Sequence, residues 1–185
     1  MNNRNKILGA AAATAVMTGI TIAVAKKKQK ENYPDLDVVN HVDLDKYLGE
    51  WYEIARMPAP FEKNCYAAKA EYSKNADGTI KVVNSCHKHS IDGPVKVSTA
   101  KAFVVDKETN AKLKVQFFWP FKGDYWILDL DDNYQYALVG EPSRKYMWIL
   151  SRTSQIALEA MQDLLDKAKA KGFNTDKLIY TEQLN

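Results

Sequence analysis

From Glu50 onward the chain carries short β-branched and aromatic runs in which apolar and polar residues alternate, with turn residues recurring at intervals of about ten. A period of two fits strands with one buried face, so it restricts this part of the chain to antiparallel β-structure. Eight strands are predicted, over Trp51 to Arg56, Cys65 to Ser73, Ile80 to His87, Val95 to Val105, Leu113 to Phe118, Tyr125 to Asp129, Tyr136 to Val139 and Tyr146 to Arg152. The turns between them include Asn75 to Gly78, Asp92 to Pro94, Asp106 to Asn110, Lys122 to Asp124, Asp131 to Asn133 and Gly140 to Pro142, each short enough to join antiparallel neighbours. The implied fold class is all-β. An eight-stranded antiparallel up-and-down barrel suits eight sequential strands, because closure removes exposed edges that invite aggregation. A two-sheet sandwich is the alternative.

After the eighth strand the spacing becomes helical. Ser154 is placed to cap a helix whose apolar positions Ala157, Ala160, Met161, Leu164, Leu165 and Ala168 share one face, and Gly172 ends it. One apolar face implies packing on the barrel wall. Leu178 to Thr181 reads as a short final strand. With 185 residues, 46% of them hydrophobic and 26% charged, the chain is expected to hold one folded domain over residues 32–185.

Residues 1–31 differ. Ile7 to Ala25 is an uncharged run, preceded by Arg4 and Lys6 and followed by Lys26, Lys27, Lys28 and Lys30. Ala23-Val24-Ala25 has the small-x-small form of a signal-peptidase site, yet the run is also long enough to span a bilayer. A cleaved signal peptide and a retained N-terminal membrane anchor both remain open. Positive flanks on both sides leave the orientation ambiguous. Of 26 Lys+Arg and 23 Asp+Glu, this segment holds six and one, so the remainder carries 20 against 22, a net −2. The positive charge of the whole chain therefore comes from the targeting segment, and nucleic acid is not an expected partner.

Lys46-Tyr47-Leu48-Gly49-Glu50-Trp51 opens the first strand, and Trp148-Ile149-Leu150-Ser151-Arg152-Thr153 ends the eighth, just ahead of the helix. With Phe117-Phe118-Trp119-Pro120-Phe121 and Tyr136-Ala137-Leu138-Val139-Gly140, these segments resemble the lipocalin family, in particular bacterial outer-membrane lipocalins of the Blc type. The resemblance runs from about Val39 to the C-terminus. It implies a fold motif of Gly49, Trp51 and Arg152, in which the tryptophan closes one barrel end and the arginine packs over its ring. A guanidinium over an indole is worth roughly 0.5–2 kcal/mol, a structural role and not a catalytic one. Asp131-Asp132-Asn133-Tyr134 departs from the family's Thr-Asp-Tyr. The apolar run also lacks the lipobox cysteine through which the bacterial relatives that the resemblance points to are lipidated, so attachment would fall to the run itself, or the protein would be free in the periplasm.

Alternation nominates the residues that would line an interior. Lys69 and Glu71 facing water turn Tyr66, Ala68, Ala70 and Tyr72 inward. Lys101 likewise turns in Ala100, Ala102 and Val104; Lys112, Lys114 and Gln116 turn in Leu113, Val115 and Phe117; and Tyr146, Trp148 and Leu150 share Arg152's side. Small residues opposite aromatic ones suit an elongated apolar ligand, although the same residues could simply fill a core. Glu53 shares the inward parity of Trp51 and Ala55. Pointing inside, it would bind a cationic group, titrate high, or bridge to a Lys or Tyr.

Cys65 and Cys86 fall close together across the hairpin at Asn75 to Gly78, but strict pairing misplaces them, so a disulfide requires a bulge or an asymmetric loop. A disulfide would imply an oxidising compartment and export. Two buried thiols are the alternative. His87 and His89 share a strand face but lack a third ligand, so no metal is expected. His41 has no paired nucleophile, and neither a nucleophile elbow, a phosphate loop nor a His-Glu-x-x-His stretch occurs. No catalytic residue and no cofactor are expected. The resemblance implies an envelope lipocalin on the periplasmic side, membrane-associated at the outer membrane or anchored at the inner one, that stores or transports fatty acids or lysophospholipids for membrane maintenance. A homodimer is left open. The rivals are a lipocalin-fold enzyme with a reactive thiol and a haem or tetrapyrrole carrier using the inward tyrosines.

Overall fold

A computed structural model describes residues 34–184; the apolar run, and with it the choice between cleavage and anchoring, lies outside the described residues. The strands are β1 (Gly49–Arg56), β2 (Cys65–Lys74), β3 (Ile80–Lys88), β4 (Val95–Val104), β5 (Lys112–Phe118), β6 (Phe121–Leu130), β7 (Tyr136–Gly140), β8 (Met147–Ser151) and β9 (Ile179–Tyr180). A helical turn α1 (Leu44–Tyr47) precedes β1, and helix α2 (Leu158–Ala170) follows β8. Each strand from β1 to β8 pairs antiparallel with its sequence neighbour, and β8 pairs back onto β1, so the sheet closes as an eight-stranded up-and-down barrel. The sandwich is thereby excluded.

Two boundaries differ from expectation. β6 begins at Phe121, ahead of the predicted Lys122–Asp124 turn, because Phe118 pairs with Phe121 and Gly123 pairs with Val115 inside the ladder. The reversal falls on Trp119-Pro120, joined by a cis peptide bond. The helix starts later than expected: its N-cap is Ala157 with no side-chain cap, and Ser154 lies in the preceding bends. Its end is as the spacing predicts. Gly172 at φ +88° follows the last turn, its N–H bonding Lys169 O while Phe173 N–H bonds Ala168 O, which closes the helix and buries the Phe173 ring.

Two apolar layers result. Inside the barrel, Trp51, Tyr72, Val82, Ala102, Leu113, Ile127 and Leu150 belong to one cluster, sealed at the α1 end by Val42 and Tyr47. Outside, Met161, Leu164 and Ala168 of α2 pack with Leu138, Met147 and Ile149 of the wall and with Leu36 of the lead-in segment. Because the strands alternate in direction, the β1–β2, β3–β4, β5–β6 and β7–β8 connections all lie at the end opposite α1 and form the barrel mouth.

Candidate ligand-binding site

Strand parity and four register shifts, on β1, β2, β5 and β6, decide which side chains face the interior. Ala70 and Tyr72, Ala100, Ala102 and Val104, Leu113 and Val115, and Trp148 and Leu150 all sit in or against the interior cluster. Ile80 and Val82 join them from β3, and Tyr125 and Ile127 from β6. Exposed Lys81 between Ile80 and Val82 was the overlooked signal for the first pair. The misplaced turn at Lys122–Asp124 hid the second.

Four predicted residues are placed differently. The β2–β3 register shifts between Tyr66 and Lys69, with Ala67 at φ +45°. Tyr66 thereby pairs with His87 on the face of Lys69 and Ser85, which points outward. Ala68 is buried at the same bulge, outside the interior cluster. On β5 the register shifts between Val115 and Phe118, leaving Phe117 at the mouth, 40% exposed. Tyr146 precedes β8 in its loop, its ring 5.4 Å from Phe61 and 6.2 Å from Trp148.

The bulge at Ala67 is the one the cysteines require. Cys65 pairs with Lys88, and its sulfur reaches diagonally to Cys86, the Cα atoms lying 5.4 Å apart. Cys65 therefore leaves the outward parity of Lys69 and Glu71. The chain's two cysteines are both in this disulfide, so the folded protein offers no free thiol. Among the described residues no group of three His, Cys, Asp or Glu is placed to hold a metal ion.

A second bulge, between Glu53 and Ala55 on β1, turns Ala55 out of the interior into the helix-side cluster and brings Arg56 round to Glu53's face. Residues three apart on a regular strand point to opposite sides; here Arg56 Nε lies 3.1 Å from Glu53 Oε1, an ion pair off the line that a hydrogen bond needs. Both side chains are buried, Glu53 at 5% and Arg56 at 3% exposure. Glu62 from the mouth loop lies 3.5 Å from Arg56 Nε and accepts from Trp148 Nε1 at 3.1 Å, while the Thr181 hydroxyl donates to Glu53 at 2.5 Å. Two carboxylates thus share one guanidinium. Burial, then the Glu62 charge, pushes the Glu53 carboxyl up to about 8, against the opposing pull of Thr181 and Arg56. Burial likewise raises Glu62.

Deeper in the barrel, the Tyr125 hydroxyl lies 2.8 Å from those of both Tyr47 and Tyr72. Burial raises all three phenols, Tyr72 to about 12. At the closed end Trp51 is fully buried and donates from Nε1 to Tyr47 O at 2.8 Å. The Arg152 guanidinium lies 3.9 Å from its ring centroid and donates to Glu50 O, Lys46 O, Tyr47 O and Tyr134 O. Gly49 at φ +92° passes so close that an added Cβ would stand 3.4 Å from Arg152 Nη1. Among the described residues no helix is long and apolar enough to cross a membrane.

Comparison with known proteins agrees with this geometry. The family model described as a lipocalin-like domain matches residues 42–183. The chain is 41% identical over 157 residues to temperature-induced lipocalin-1 of Arabidopsis thaliana, covering 80% of this chain and 83% of that one. It is 42% identical over 146 residues to outer membrane lipoprotein Blc of Escherichia coli K12, covering 79% and 82%. It is 36% identical over 162 residues to mouse apolipoprotein D, covering 82% of each. Insecticyanin of the tobacco hornworm Manduca sexta superposes with a TM-score of 0.67 at 22% identity, over 82% of this chain and 86% of that one, which shows the shared barrel. A closed eight-stranded barrel with the glycine, tryptophan and arginine knot at its base, matched by a family model over most of its length, makes this chain a member of the lipocalin family.

Proposed function

We propose that the barrel binds a single-chain lipid, a fatty acid or lysophospholipid, and stores or transports it for membrane maintenance in a bacterial envelope. One observation carries the reading. The interior wall is mainly apolar, with small residues, Ala70, Ala100 and Ala102, in one cluster with Trp51, Tyr72 and Leu113; its charged groups lie near the mouth and its tyrosine hydroxyls near the base, and Asn84 and Ser98 share the level of Ala70 between them. An acyl chain asks for that division, an apolar length with few fixed polar contacts. The relative named as an apolipoprotein supports a lipid ligand, and the relative named as an outer membrane lipoprotein supports the envelope placement. Attachment through residues 1–31, on the periplasmic side, belongs to the proposal. The disulfide fits an oxidising compartment.

The thiol-enzyme reading loses its nucleophile to the disulfide, and the haem reading finds Tyr72 already engaged with Tyr125. The test is native mass spectrometry of the protein purified from membranes, with lipid extraction and displacement of a fluorescent fatty acid. A co-purifying lipid and competitive displacement are expected. Recovery of no lipid together with no displacement would reject the carrier, and a Soret band on haem titration would favour the tetrapyrrole reading.

A further inference from the structure

The mouth of the barrel is apolar where a water-facing rim would be polar. Among the described residues, seven of the twelve large hydrophobic side chains that stand exposed lie there. Phe118, Trp119 and Phe121 at the β5–β6 tip are 78%, 86% and 78% exposed, and Phe117 stands beside them. Val95 and Val97 continue the patch. They open β4 at the mouth end, on the strand that pairs with β5. Phe61 stands across the opening, 56% exposed against Tyr146. Scattered exposed apolar residues need no explanation, but a group gathered around one opening marks an interaction surface.

We infer that this rim is a bilayer-docking surface, which seats the barrel mouth-down on a phospholipid membrane with the Phe118–Phe121 tip inserted among the acyl chains. Three observations select a bilayer over a protein partner. The tip segment 115–123 carries a single charge, Lys122, and the nearest carboxylate, Asp124, is held by Lys114 at 2.8 Å. Exposed Lys63, Lys96, Lys122 and Lys145 surround the opening and outnumber the carboxylates of the same loops, Asp92 and Glu141, and aromatic residues flanked by lysines form the pattern of an interfacial anchor against anionic head groups. The patch is also a projecting tip with apolar side chains spread around the barrel end, which a fluid bilayer can envelop; a second copy of this chain would need a matching flat face. Mouth-down docking would let an acyl chain pass between bilayer and barrel without crossing water. That consequence rests on the proposed lipid binding; the docking itself does not.

The experiment uses the full chain, and its readout is local, so that membrane contact by residues 1–31 does not produce it. Trp119→Phe keeps the tip apolar, and the difference in emission between wild type and this variant is the Trp119 signal. Both are measured in buffer and reconstituted in phosphatidylcholine/phosphatidylglycerol vesicles, with aqueous iodide and with bromine-labelled acyl chains as quenchers. Docking predicts iodide quenching in buffer, protection from iodide in vesicles, and quenching there by the brominated lipid. A Phe118→Ser/Phe121→Ser variant should weaken vesicle affinity of the tip by roughly tenfold or more. Undiminished iodide quenching in vesicles would overturn the proposal. Protection already in buffer, with a doubled mass by light scattering, would overturn it in favour of a homodimer. Fatty-acid displacement, measured separately, can fail while Trp119 is quenched by lipid, and the reverse, so the two proposals stand or fall apart.

Discussion

Arg152 shows how one side chain serves as a structural knot. Its planar fork reaches carbonyls on α1, β1 and the β6–β7 turn while its face covers Trp51. A lysine holds a charge but neither the fork nor the stack. Arg152→Lys is therefore expected to lower stability by about 2–4 kcal/mol, read from urea unfolding; a change below the error of that measurement would assign the knot to Trp51 alone. Glu53 makes the second residue-scale prediction. Its carboxyl titrates near 8 when folded against an ordinary 4.5, so between those values the folded protein holds a proton that the unfolded chain has released. Stability then falls as pH rises from about 5 to 8. Glu53→Gln keeps an acceptor for Thr181 and has no proton to lose. It should match wild type near pH 5 and exceed it by roughly 3–4 kcal/mol at pH 8, with the slope that remains coming from Glu62. Parallel pH profiles of the urea midpoint would show that Arg56 keeps Glu53 ionised throughout.

At the scale of elements, the strands were legible because each alternates against water. The bulges were not, because their cause lies far along the chain. β1 and β2 pair from Gly49↔Tyr72 to Tyr52↔Lys69 and then part. The C-terminal segment enters the fork: Thr181 N–H bonds Ile54 O, Ala67 N–H bonds Glu182 O, and Gln183 Nε2 donates to both Glu53 O, at 2.7 Å, and Ala68 O, at 3.0 Å. No local pattern around Ile54 or Ala67 announces a partner more than a hundred residues away, as the Gln183 pairs are. The expectation of Tyr66 inward failed for this reason, and Glu53 was left without its Arg56. The Gly49, Trp51 and Arg152 knot was legible because the motif itself names the contact. Gln183→Ala leaves two buried carbonyls without a donor, at an expected cost of about 1–3 kcal/mol. It should also speed amide exchange of Ala67 more than that of Val82, which pairs within the intact β3 ladder. Equal acceleration at both would mean that the segment stabilises the barrel globally and does not lock this fork.

For the whole molecule, the question is whether the small residues of the wall leave room or merely fit their neighbours. Ala100 faces the interior from the middle of β4, paired with Val82 across the ladder and 6% exposed. In a filled core, Ala100→Phe has nowhere to place its ring, and overpacking costs typically about 1–3 kcal/mol. In a barrel that receives an acyl chain, the ring enters space the ligand would take, so stability is kept or raised while binding is lost. The two readings thus differ in the sign of one measurement and the presence of another. Urea unfolding and fluorescent fatty-acid titration on the same variant should give an unchanged or higher midpoint with affinity reduced at least about tenfold, equivalent to 1.4 kcal/mol or more. A lower midpoint with binding intact would place the ligand elsewhere and return the alanines to ordinary packing. Tyr72, sharing the interior but tied to Tyr125, should then be indifferent to ligand, whereas the carrier reading expects its ring environment in near-ultraviolet circular dichroism to change on saturation.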